Sequence, residues 1–83
     1  MIFTVMIVDD TFANVLSIKN IFQCVKSKFK LNIICKKDGD ESVDTFKTTN
    51  KTESKDNVHL IIMDQNMNKM HGDEATRIVI LLY

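Results

Sequence analysis

Two apolar runs in this chain stop on carboxylates. Phe3-Thr-Val-Met-Ile-Val8 gives way to Asp9 and Asp10, and Val58-His-Leu-Ile-Ile-Met63 gives way to Asp64. Each run is short and rich in Val, Ile and Leu, which is the pattern of a strand buried inside a sheet. Leu31 to Cys35 is a third run of the same kind. Strands that end on acids at two distant points constrain the fold strongly, because the fold must decide whether those acids meet.

The segments between the strands read as helices. Val15, Ile18, Phe22, Val25 and Phe29 recur at spacings of three and four, which puts them on one face, while Lys19, Lys26 and Lys28 turn mostly to water. Asp38-Gly-Asp-Glu41 has the form of a helix start. Asp38 can cap the free amides, and Glu41 can reach back in a capping box. That helix, with Val43 and Phe46 inward, is expected to be short and to give way to a solvated polar loop from Lys47 to Asn57. A third helix follows Gly72, where Asp73 and Glu74 suit its positive end.

Strand and helix thus alternate three times. The expected class is α/β, a parallel sheet wrapped by helices through right-handed crossovers. If the strand order is second-first-third, the first and third strands are neighbours, roughly 4.8 Å apart. Asp9, Asp10 and Asp64 then share one edge, where such sheets gather their functional groups. Carboxylates that close repel by roughly 3 to 4 kcal/mol per pair at an effective dielectric near 20. Protonation relieves the repulsion, and so does a hard divalent cation such as Mg²⁺. A cation beside a carboxylate also suits phosphoryl transfer, with the carboxylate as nucleophile.

Bulk composition narrows the remaining choices. A chain of 83 residues makes one small domain, and 45% hydrophobic with 27% charged residues is a globular balance. Eleven basic residues offset eleven acidic ones, so charge gives no sign of nucleic acid or a membrane surface. The apolar opening is too short to span a bilayer. Cys24 and Cys35 are too few for a disulfide scaffold, and a reduced, cytoplasmic setting is expected. His59 and His71 lack the spacing of a zinc site and read as ordinary strand-end or surface residues.

Taken together, MIVDD, the helix after it, DGDE and LIIMDQNMNKMHG resemble the receiver domain of two-component response regulators and hybrid histidine kinases. The resemblance runs over nearly the whole chain. It implies an incomplete flavodoxin-like, doubly wound sheet of three strands and three helices, with residues 1–83 as the first three strand-helix units of one receiver domain. By the same resemblance Asp64 is the phosphoacceptor and Asp10 a direct Mg²⁺ ligand, with Asp9 close by or acting through water. Asn66 would lend its backbone carbonyl to the metal, and Met67, Met70 and Gly72 would shape the loop after the third strand. The implied partner is a histidine kinase or histidine phosphotransfer protein, whose phosphohistidine donates the phosphoryl group.

The chain also departs from that family. A full receiver has five strands, and its later part carries a Thr or Ser and a Lys that answer the phosphoryl group. Asn68 stands where the family usually has Pro, and His71 where it often has Asp. The third strand is expected to expose an unpaired edge, and Ile78 to Tyr83 is apolar all round a helix. A second copy of the chain, or the missing second half of the domain, is expected to cover both. An alternative implied role is a pseudo-receiver that binds protein partners without taking up phosphate.

Overall fold

The computed structural model describes residues 2–25, 30–50 and 57–82. Six elements alternate along it: β1 (Ile2–Val8), α1 (Phe12–Val25), β2 (Lys30–Lys36), α2 (Gly39–Thr49), β3 (Leu60–Met63) and α3 (Gly72–Leu82). The strands form one parallel sheet in the order β2-β1-β3. This is the α/β arrangement of an incomplete flavodoxin-like fold, with the strand order that unites the acids.

Central position explains the composition of β1. Val5, Met6, Ile7 and Val8 are fully buried because a strand paired on both sides and covered on both faces meets no water. Register sorts its neighbours by face. Val5 lies opposite Ile33 and Leu60, and Ile7 opposite Cys35 and Ile62; Met6 lies opposite Ile34 and Ile61 on the other face. Met6 and Val8 join Val58 and Met67 in the principal core cluster, with Ile34, Ile61 and Met63 packed against it. α1 borders the first face, beside Leu31, Ile33 and Cys35, while α2 packs against α3 and reaches β1 and β2. The molecule measures 35 × 33 × 14 Å along its principal axes.

Several boundaries differ from expectation. The second helix does not yield at Lys47: α2 runs to Thr49, and Asn50 caps it. Residues 51–56 of the expected loop lie outside the described residues, as do Lys26, Lys28 and Phe29. Val58 is not yet strand. It is buried and held by the Asn50 side chain, whose Oδ1 accepts the Val58 N–H at 2.9 Å while Nδ2 donates to the Val58 carbonyl at 3.3 Å. An amide side chain thus imitates a strand partner just before β3 begins.

The helix after β1 is only half sunk. Val15, Ile18 and Phe22 are half-buried, while Phe12 is 78% exposed. The two sheet edges also differ. β2 carries Lys30, Asn32 and Lys36, whereas β3 is Leu-Ile-Ile-Met with no charge along it. Lysines on an edge discourage pairing with another chain, and β3 has no such guard. Leu60, Ile80 and Leu81 are exposed as well. No helix among the described residues is long and apolar enough to cross a membrane.

Candidate functional site

Hydrogen bonding continues one residue beyond β1 and β3, and that extra rung sets the acids. The Asp9 N–H donates to the Lys36 carbonyl at 3.0 Å, and the Asp64 N–H donates to the Val8 carbonyl at 2.9 Å. The backbones of the two strand ends are therefore tied at the points where the carboxylates emerge. Asp9, Asp10 and Asp64 each offer an oxygen, and these oxygens all lie within 4.8 Å of one another. Asp9 is buried, Asp64 half-buried and Asp10 exposed, so the cluster grades from core to solvent.

The three carboxylates are not equivalent. Asp9 turns back on the start of α1: Oδ1 accepts the Thr11 N–H at 2.9 Å, and Oδ2 accepts from the Asn14 side chain at 3.2 Å. It therefore organises the first turn of the helix as well as facing the cluster. Among the described residues, Asp10 accepts only from the Thr11 hydroxyl, at a long 3.4 Å. All three donors are carboxylate oxygens with no Cys or His among them, a set that could hold a hard divalent cation.

The loop after Asp64 is tightly cross-braced. The Gly72 N–H donates to the Gln65 carbonyl at 3.0 Å, and a Cβ on Gly72 would overlap the Asp64 carbonyl oxygen. Only glycine lets α3 start so close to the strand end. Gln65 and Asp73 bond reciprocally, the Asp73 N–H to Oε1 at 2.8 Å and Nε2 to the Asp73 carboxylate at 3.1 Å. That side-chain bond, with the Glu74 N–H, holds the Asp73 carboxyl below its usual range. Asn66 lies in this loop, exposed, while Met67 turns into the core and Met70 is half-buried.

Asp38 fixes the loop from outside. Its side chain caps α2 through the Asp40 N–H, as the sequence suggests, but the expected reach-back from Glu41 is absent. Glu41 is exposed, and its own N–H bonds the Asp40 carboxylate. The stronger Asp38 bonds cross to the acceptor loop: Oδ1 accepts the Lys69 N–H at 2.9 Å, and Oδ2 the Met70 N–H at 2.8 Å. The Lys69 bond, helped by Met70 and Asp40 and opposed by desolvation, lowers the Asp38 pKa to about 2. Gly39 lets the two segments touch, since a Cβ there would overlap the Met70 carbonyl oxygen.

Sequence reading named the acids and the loop but missed this brace. His59 is an exposed residue at the entry to β3, as read from the sequence, and its Nδ1 also accepts the Thr4 N–H at 2.9 Å while its ring stacks on Phe3 with centroids 5.1 Å apart. Cys24 and Cys35 are free and exposed. No protein-family model matches the chain, and neither does any curated protein or solved structure. The functional reading therefore rests on the residues themselves.

Proposed function

We propose that this chain is a phosphorelay receiver module, in which Asp64 accepts a phosphoryl group from the phosphohistidine of a histidine kinase or histidine phosphotransfer protein. The observation that carries this reading is the convergence of Asp9, Asp10 and Asp64, from two strand ends, to within 4.8 Å. An Asp64 oxygen attacks phosphorus, the phosphorus–nitrogen bond breaks, and the imidazole leaves with the electron pair. The product on Asp64 is an acyl phosphate. Asp9, Asp10, Asp64 and the Asn66 carbonyl would hold Mg²⁺, which when bound neutralises the charge of the phosphoryl oxygens.

What the chain's own residues supply is position. Thr11 and Asn14 steady Asp9, the Val8 carbonyl anchors Asp64, and Asp38 braces the loop that follows. Phe12, 78% exposed and two residues beyond Asp10, offers a partner an apolar foothold beside the acceptor. The module would work in the cytoplasm, where free thiols such as Cys24 and Cys35 persist.

A second reading is favoured by a different observation. The uncharged β3 edge with exposed Leu60, Ile80 and Leu81 suits a pseudo-receiver that binds protein, either a second copy or the remainder of a receiver domain. Incubation with acetyl phosphate or phosphoramidate, with and without Mg²⁺, separates the two. Base-labile label that needs Mg²⁺ and vanishes in Asp64→Asn supports the relay. Mg²⁺ binding without any label sinks it in favour of the interaction module.

A further inference from the structure

β3 closes the sheet on one side: among the described residues no strand but β1 pairs with it. The Asp64 N–H turns to β1, where it meets the Val8 carbonyl. Backbone groups alternate along a strand, so the N–H and C=O of Ile61 and Met63 turn the other way, to the open edge. Such groups, on a strand without charge, are a template for another strand.

The opposite edge behaves differently. β2 carries Lys30 and Lys36, which discourage the pairing that β3 invites. A chain with one receptive and one guarded edge does not stack head to tail into an open array. Two receptive edges meet instead, and the association closes. Antiparallel pairing about a two-fold axis at Ile62 uses both outward residues, because Ile61 then exchanges bonds with Met63 of the second copy.

Charge and area favour the same occupant. The chain carries no net charge at pH 7, so no long-range repulsion holds copies apart. It exposes 5770 Å², whereas a self-contained monomer of 9.6 kDa exposes about 5,100 Å² by the scaling of surface with mass. The excess, roughly 700 Å², is close to the ~800 Å² that each partner gives to a standard interface. A partner completing a core cut in half would take more, upwards of about 1,000 Å² a side.

We propose that β3 pairs antiparallel with β3 of a second copy, joining two three-stranded sheets into one. This dimer supplies the partner for the interaction reading above, on whose exposed edge it rests, and it forms whether or not Asp64 takes up phosphate.

Sedimentation velocity from micromolar to millimolar concentration tests it. The mass should rise from 9.6 kDa to twice that value and stop there. Amide hydrogen exchange at Ile61 and Met63 should slow as the dimer forms. Ile62→Lys sets two like charges opposite each other at the axis and should raise the dissociation constant about tenfold or more. Leu81→Lys, on α3, should leave association unchanged. Circular dichroism of Ile62→Lys should match the dilute parent, which separates lost pairing from lost fold; the exchange data on the parent need no variant at all. A single 9.6 kDa species at every concentration would overturn the dimer, while the phosphodonor experiment still judges the interaction reading by itself. Doubled mass with Ile61 and Met63 exchanging freely would overturn it too, as would association lost in Leu81→Lys but kept in Ile62→Lys, or a mass that grows past the dimer.

Discussion

Met70 donates its backbone N–H to the Asp38 carboxylate at 2.8 Å, across 32 residues of sequence. One side chain thereby joins the start of α2 to the loop that carries Asp64 onward into α3. The loop is held from two sides, by the strand ladder before Asp64 and by Asp38 after it. That arrangement fixes the backbone that presents Asp64 to the other two acids.

Acid should release this brace. The Asp38 pKa is lowered from 3.8 to about 2 chiefly by the Lys69 N–H, so the folded state favours the carboxylate. Its contribution is fully present above the unfolded value and is lost as pH falls from about 4 toward 2. The lowered Asp73 acts in the same sense. Urea midpoints measured down that range should fall more steeply for the parent than for Asp38→Ala, which starts lower at neutral pH. Parallel curves would show that the bonds to Lys69 and Met70 contribute nothing.

Replacing His59 by Phe keeps a ring against Phe3 but removes the acceptor of the Thr4 N–H. Thr4 is 1% exposed, so the donor is left without water or partner. The expected cost is about 1 to 3 kcal/mol in chemical denaturation. A variant as stable as the parent would mean that the ring stack alone secures this end of the sheet.

Thr4 makes the opposite case. Its Oγ1 is buried with no partner among the described residues. Thr4→Val preserves the branched shape and removes the unpaired hydroxyl, and it should raise stability by about 1 kcal/mol. A drop in the urea midpoint would show that the hydroxyl is in fact satisfied.

How much of this was legible beforehand depends on distance along the chain. Apolar runs ending at Asp9 and Asp64 revealed the strands, and alternation with helical spacing pointed to the parallel sheet. Asp38 was readable as a cap because its partner Asp40 is two residues away. Its bonds to Lys69 and Met70 were not, because no local pattern marks an acceptor for backbone amides that fold back from so far. The same holds for Asn50 and Val58. The end of α2 was misjudged because Lys47, Thr48 and Thr49 are polar without apolar periodicity, yet Thr48 and Thr49 return hydroxyl bonds to the preceding turn and remain helical.

Gly72→Ala tests whether the loop tolerates any slack. The added Cβ meets the Asp64 backbone carbonyl and the Gln65 Cα, neither of which is the end of a flexible side chain. Overpacking of this kind costs about 1 to 3 kcal/mol. Because the clash is with Asp64 itself, Mg²⁺ affinity should fall together with stability. Unchanged affinity in a destabilised variant would separate the loop from the site.

The central claim is that Asp9, Asp10 and Asp64 act as one cation site. Calorimetric titration with Mg²⁺ at neutral pH tests it most directly, in the parent, Asp10→Asn and Asp64→Asn. The expected result is one site per chain in the parent and a loss of about tenfold or more in each variant, since each removes one ligand charge. Binding that is absent from the parent, or that survives both substitutions undiminished, would contradict it.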